Sequence, residues 1–509
     1  MNSTTIQQYA LLIDGQLTPA LSGKCFDAVN PSYNTVFAHV SDADTFDVQR
    51  AIHAARLSFD QGPWPHLSLA QRGAFLIKIA NLIREHAKEL ADLECASCGK
   101  TIKHATFIDV PTAADTFEYF GNLSDSLTAE TLKTSGPVLS TIEREPVGVV
   151  AAIIPWNYPL IMSAWKLAPA LLAGNTIVFK PSPAACVSVM LLAQLAHQAG
   201  LPKGVLNVIS SSRPQAGGEL VSSPEVDMVT FTGSTKTGEA VMMGASKGIK
   251  KLTLELGGKS PNIVFADCDL EAAIGGSLSA IFMNQGQMCT AGSRLLVEDK
   301  IYQVFVDQLV ARARNLKIGP ADNFETEFGP LVSIEHRDRV LEFIKKGKQE
   351  GAKLILGGSV PKGALSPKRG LSPSPSVQRG AYLEPTIFTE VTNTMSIARE
   401  EIFGPVLCVM PFSTTQQALE IANDTKYGLA ATIWSRDLEK AGRMARQLRC
   451  GTVWINTYGT FMNEAPFGGY KQSGFGRELG AQGLYEYTQV KTIVTDQTPG
   501  GRSLVTGWF

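Results

Sequence analysis

Met228-Val229-Thr230-Phe231-Thr232-Gly233-Ser234-Thr235-Lys236-Thr237-Gly238 passes from a short apolar, β-branched run into a glycine-bearing turn. It reads as a strand, a tight turn and the start of a helix. The same grammar repeats upstream. Strand-like runs at 147–154, 175–180 and 205–209 alternate with helical patterns at 165–172 and 188–199. That alternation predicts a parallel sheet with helical crossovers, hence an α/β fold. A second alternation begins near Gly258 and runs to about Ile455, with strands expected at 262–265, 294–297, 406–410 and 453–456. Towards the N-terminus, 11–40 reads as short strands and turns, with Asp14-Gly15 as a hairpin turn, followed by helices at 42–59, 69–95 and 112–127.

With 509 residues, two or three domains are expected at roughly 150 residues each. The chain is 44% hydrophobic and 18% charged, enough apolar material for a large core. Its net charge of −1 gives no electrostatic case for nucleic acid or an acidic membrane. No apolar run approaches the roughly 18 residues that span a bilayer, and the first residues lack a signal-peptide pattern. Eight scattered cysteines fit a reducing cytoplasm better than a disulfide scaffold. Cys95-Ala96-Ser97-Cys98 is a CxxC without a second pair or nearby ligands, so we expect two thiols on one helix face and no metal. The segment 357–380, with four prolines, is expected to be a long irregular surface loop.

Three short runs carry the chemistry. Asn284-Gln285-Gly286-Gln287-Met288-Cys289-Thr290-Ala291-Gly292 places one thiol among amides and glycines, where a packing cysteine usually has apolar neighbours. A free thiol ionises near pH ~8.5, so a working nucleophile needs a base or an electropositive pocket. Leu254-Glu255-Leu256-Gly257-Gly258 puts a carboxylate between two leucines, a setting that raises its pKa towards that of a general base. Pro155-Trp156-Asn157-Tyr158-Pro159 presents a side-chain amide on a proline-stiffened turn. The glycines and helix start at 233–238 also suit a phosphate, although the run is not a GxGxxG fingerprint.

Together these runs resemble the NAD(P)-dependent aldehyde dehydrogenase superfamily, over roughly 13–492. The resemblance implies a Rossmann-like nucleotide-binding domain (1–122 and 146–257), an α/β catalytic domain (258–457) and a small β oligomerisation arm (123–145 and 480–500). It implies NAD or NADP as cofactor, held by Ile154, Trp156, Lys180, Ser182, Gly233, Ser234, Gly238, Leu256, Glu401 and Phe403. It makes Cys289 the nucleophile, Glu255 the base that activates water, Asn157 an oxyanion donor and Lys166 part of a proton relay. The reaction implied is oxidation of an aldehyde to its acid through a thiohemiacetal and a thioester on Cys289. Glu255 favours hydrolysis over transfer to a CoA thiol. Pro183 stands where many NAD-preferring members carry a glutamate, so NADP should be tolerated.

The implied aldehyde channel is formed by Tyr158, Met162, Trp165, Met288, Thr290, Tyr458, Phe461 and Phe467. These side chains suit an uncharged aliphatic or aromatic aldehyde. An amino- or betaine-aldehyde is the second choice, because Tyr158 and Trp165 offer faces to a cation and Glu464 a negative charge. A non-catalytic protein on this scaffold is the third, and the retained thiol, carboxylate and amide argue against it. By resemblance, the tail at 487–495 pairs with strands near residue 140 of a neighbouring subunit, building a homodimer or homotetramer.

Overall fold

In the computed structural model, residues 6–123, 127–134, 136–361 and 380–498 are described. Met228–Thr232 is a strand with all five residues buried, because helices cover both faces of its sheet. The sheet has eight strands, in the order Gly474–Phe475, Lys251–Glu255, Met228–Thr232, Val149–Ile153, Thr176–Lys180, Leu206–Val208, Leu11–Ile13 and Gln16–Thr18. Its five central strands are parallel, and the strand at each boundary of that block is antiparallel. Alternate residues face opposite layers. Val150, Ala152, Ile177 and Phe179 pack on helices Pro159–Ala173 and Val187–Gln198, while Val149, Ala151 and Val178 pack on Thr45–Gln61 and Pro214–Ser222.

The second alternation folds into a seven-stranded sheet: Lys353–Leu356, Thr386–Thr389, Val406–Phe412, Arg294–Glu298, Pro261–Val264, Ala430–Trp434 and Thr452–Ile455. All neighbours are parallel except the first pair. The chain passes from one sheet to the other across only five residues, between Lys251–Glu255 and Pro261–Val264. Glu255 therefore ends a strand of the first sheet, and Cys289 precedes Arg294–Glu298 in the second.

Several sequence expectations need correction. The helix expected over 69–95 is two helices, Leu69–Glu85 and Ala87–Cys98, broken at His86, whose ψ of 21° leaves the helical well. The helix expected from 112 begins earlier, as Val110–Gly121, preceded by a wide π turn at Ala105–Asp109. Most of the proline-rich loop, residues 362–379, lies outside the described residues.

The tail pairs within its own chain. Thr488–Asp496 runs antiparallel to Val138–Pro146, with Thr488 opposite Pro146 and Asp496 opposite Val138. The cause is local. The Tyr487 carbonyl accepts from Val147 N–H at 3.3 Å and from Asn175 Nδ2 at 2.9 Å, which delivers the tail alongside 138–146. With Glu130–Leu132 these strands form a three-stranded arm whose outer strand exposes Val490, Ile493 and Val494.

Candidate active site

Helix Leu270–Phe282 is followed by Asn284, Gln285 and Gly286, all at positive φ (47°, 55° and 72°). Two consecutive non-glycine residues in that region cost on the order of 1–3 kcal/mol each, so the turn must be held from outside. Asn284 Nδ2 donates to the carbonyls of Asn157 (3.1 Å) and Gln287 (3.3 Å). Asn157 Nδ2 donates to the same Gln287 carbonyl at 2.9 Å. The Asn157 amide is thus fixed beside the Cys289 loop with one of its two N–H donors engaged and the other free for an oxygen.

The paired glycines after Glu255 have a steric origin. A Cβ on Gly258 would lie 2.3 Å from the Cys289 carbonyl oxygen, and one on Gly257 would lie 2.1 Å from Glu401 Oε2. Only glycine lets this crossing segment touch both. Gly258 N–H donates to Glu401 Oε1 at 2.9 Å.

Two cavities meet at Cys289 and Glu255. Both are also lined by Tyr158, Met162, Thr232 and Leu256. One, of about 190 Å³, is lined further by Trp156, Asn157, Gly233, Ser234, Glu401 and Phe403. The other, of about 200 Å³, contains all eight side chains expected for the aldehyde channel, including Trp165, Met288, Thr290, Tyr458, Phe461 and Phe467. Trp165 packs edge-on against Phe461 and Phe467, and Tyr458 Oη lies 3.4 Å from Thr290 Oγ1. Glu464 is exposed and does not line this cavity, so it brings no charge to it.

The electrostatics are those of a dry site. Burial, then the charges of Glu401 and Glu255, push the Cys289 thiol up to about 12, against a pull from the N–H groups of Thr290 and Cys289. Both Glu255 carboxyl oxygens are buried without a hydrogen-bond partner among the described residues. Burial, and then the Glu478 charge, raise its pKa well above the usual range. Lys166 is buried and donates to Glu478 Oε1 at 2.5 Å and Thr230 Oγ1 at 2.9 Å. Burial also raises Glu401, to about 7.

The first cavity carries groups suited to the pyrophosphate and nicotinamide end of a dinucleotide. Ser234 caps helix Thr235–Ala245, accepting from Thr237 N–H. Its neighbour Gly233 packs on Phe231, where a Cβ would meet the ring Cζ at 2.5 Å. Trp156, His336 and Phe403 form an edge-to-face roof, with ring centroids 5.1–5.2 Å apart around Trp156. His336 Nε2 lies 2.7 Å from the Phe403 carbonyl. Ile154, Lys180 and Ser182 lie outside this cavity, at the ends of neighbouring parallel strands, and Gly238 packs against Leu256, where a Cβ would meet Cδ2 at 2.5 Å. Sequence reasoning missed Thr232, Glu478, His336, Arg339 and His104. Among the described residues no His, Cys, Asp and Glu cluster is arranged to hold a metal ion.

A sequence model of the aldehyde dehydrogenase family matches residues 18–493. The chain belongs to that family. It is similar to betaine aldehyde dehydrogenase of Bacillus subtilis (45% identical over 500 residues, covering 98% of this chain and 99% of that one). It is also similar to the mitochondrial benzaldehyde dehydrogenase of Antirrhinum majus (41% over 492 residues, covering 96% and 89%). Among solved structures, a Staphylococcus aureus betaine aldehyde dehydrogenase in complex with NAD+, its Cys289 modified by BME, superposes with a TM-score of 0.93 at 39% identity, covering 98% and 99%. This dehydrogenase is accordingly an oxidoreductase that converts an aldehyde to its acid with NAD(P).

The free Asn157 donor leads to a kinetic expectation. Asn157→Ala should lower kcat by about 10²–10³, the usual loss for one oxyanion donor, while cofactor affinity changes far less. Stopped-flow hydride transfer and a fluorescence titration with NADH check both halves.

Proposed function

We propose that Cys289 attacks the aldehyde carbon and that Glu255 takes the thiol proton and later activates the hydrolytic water. The oxyanion accepts from Asn157 Nδ2 and the Cys289 backbone N–H. Trp156, Gly233, Ser234, Leu256, Glu401 and Phe403 hold the dinucleotide, with Lys180 and Ser182 reaching its adenosine ribose. The nicotinamide cofactor, when bound, accepts the hydride. The thioester left on Cys289 is hydrolysed by the water that Glu255 activates. Lys166 and Glu478 pass the proton released at Glu255 away from the site. What carries this reading is the meeting of a thiol and an unpaired buried carboxyl where the two cavities join.

Residues 1–122 with 146–257 form the nucleotide-binding domain, 258–457 the catalytic domain, and 123–145 with 480–500 an arm through which copies associate as dimers or tetramers. The exposed apolar strand of that arm supports the last assignment. Eight free thiols support a reducing compartment, the cytoplasm. No helix among the described residues is long and apolar enough to cross a membrane.

For the substrate we place an uncharged aliphatic or aromatic aldehyde first. The cavity wall is dominated by Ile161, Met162, Trp165, Met288, Phe461 and Phe467. Tyr158, an aromatic face that a cationic substrate would use, already carries the Lys100 ammonium 3.9 Å from its ring centroid. A second cation there meets repulsion. The similarity to betaine aldehyde dehydrogenases keeps the amino- or betaine-aldehyde reading as the second. Hexanal, benzaldehyde, aminobutyraldehyde and betaine aldehyde, each with NAD and NADP, decide between them. The expected result is kcat/KM at least tenfold higher for an uncharged member, and NADP within about tenfold of NAD. A best rate with betaine aldehyde, or an NAD preference of several orders of magnitude, overturns the corresponding half.

A further inference from the structure

The mechanism leaves unused one buried titratable group of the aldehyde cavity. His104 ends the helical turn Ile102–His104, is 7% exposed and lines the cavity together with Ile108 and Thr112. Its ring centroid lies 5.6 Å from that of Tyr158. His104 Nε2 is buried without a hydrogen-bond partner among the described residues. The nearby Asp109 Oδ1, at 3.7 Å, is beyond hydrogen-bond reach, and Asp109 is already paired with Lys100 at 2.8 Å. Burial, and then the Lys100 charge, push the imidazole pKa well below its usual value, so the ring is neutral.

A neutral imidazole offers one donor and one acceptor. Here the ring is hydrogen-bonded to no other described residue. Stripping such a group of water without replacing its partners is unfavourable. Its neighbours on the wall include the apolar Ile108, Ile161 and Met162, whereas the hydroxyls of Thr290 and Tyr458 lie within reach of each other. The geometry points to His104, with Thr112 beside it, as the polar end of the aldehyde cavity, binding a hydroxyl on the substrate's tail away from the aldehyde carbon. This rests on the assignment of that cavity to the aldehyde. A hydroxyl both donates and accepts, so it serves the unpartnered imidazole in either tautomer. An ammonium tail is disfavoured by Lys100, and a carboxylate tail by Asp109. The substrate class is therefore an uncharged hydroxy-aldehyde.

The test compares 4-(hydroxymethyl)benzaldehyde with 4-ethylbenzaldehyde, which match in size and differ by one hydroxyl. Wild type should prefer the hydroxylated member about tenfold in kcat/KM. His104→Leu should remove that preference, with the loss residing in KM because the contact is remote from the reacting carbon. His104→Asn, which restores a donor and an acceptor, should recover part of it, a rescue that a purely structural role does not produce. Equal wild-type rates, or a ratio that His104→Leu leaves untouched, overturn the inference. If hexanal is oxidised and neither benzaldehyde is, the inference fails while the cavity assignment stands. If none of the three is oxidised while betaine aldehyde is, the uncharged-substrate reading fails and the inference with it; if no aldehyde of the panel is oxidised, the cavity assignment itself fails.

Discussion

Cys289→Ala is expected to bring NAD(P)H formation to the assay floor, a loss on the order of 10⁶ in kcat for removal of a covalent nucleophile. Cys98 offers no substitute, because its buried Sγ is committed to the Trp156 carbonyl at 3.3 Å. Fold and cofactor binding should survive, since the Asn284–Asn157–Gln287 bonds that shape the loop do not involve the sulfur. Intact-mass spectrometry after mixing with aldehyde and NAD provides a second reading. Wild type should carry at most a transient acyl adduct, and Cys289→Ala none. Substantial residual turnover in the alanine variant would remove the thiol from the reaction.

Glu255→Gln should separate the two halves of the cycle. A glutamine has the shape of the acid but accepts no proton, so thiol deprotonation slows and thioester hydrolysis, which needs the base for a weaker nucleophile, loses about 10²–10⁴-fold. If acylation remains the faster half, the variant gives one burst of NADH per site and a stable acyl adduct on Cys289. Full steady-state turnover would mean that the base is another group. The raised Glu255 pKa also fixes two pH trends. Hydrolysis requires the ionised carboxylate, so wild-type deacylation should rise about tenfold per pH unit below that pKa. Stability moves the other way. The folded chain keeps the Glu255 proton at pH values where the unfolded chain, ionising near 4.5, has lost it. The stabilisation is therefore full below pH 4.5 and is lost as pH rises through the folded-state pKa, falling by ~1.4 kcal/mol for each pH unit between the two ionisations. Above neutrality Glu255→Gln should melt at a higher temperature than wild type, and differential scanning fluorimetry across pH checks the sign.

Which parts of this molecule can be read from its residues follows from the range of the interactions involved. The run 228–238 announces itself because a buried parallel strand needs consecutive apolar residues and its turn needs glycine. The eight channel side chains implied by the family resemblance line one cavity, although they come from three stretches far apart in the chain, so local patterning alone would not have grouped them. The Lys166–Glu478 pair is invisible in the sequence, since its partners are 312 positions apart and neither sits in a distinctive run. His104 reads like any helical histidine until tertiary packing brings Asp109, Lys100 and Tyr158 around it. The tail at 487–495 reads as a strand that the family resemblance assigned to a neighbouring subunit, whereas the Tyr487 carbonyl bonds steer it onto its own chain. Strand composition says that a segment will pair but leaves open with which partner.

On the proposed assignment, the junction of two hollows at Cys289 gives each reactant its own approach to the sulfur. An aldehyde entering beside Phe461 does not have to pass the doorway roofed by Trp156 and Phe403, so neither reactant blocks the other's arrival. On the proposed assignment of the two cavities, the acid can leave past Phe461 with the spent dinucleotide still seated. The dinucleotide can depart past Trp156 and Phe403 while the sulfur is still acylated. On that assignment, the order of traffic through the site is set by chemistry and affinity, and initial-rate kinetics with both reactants varied should show no obligatory first binder.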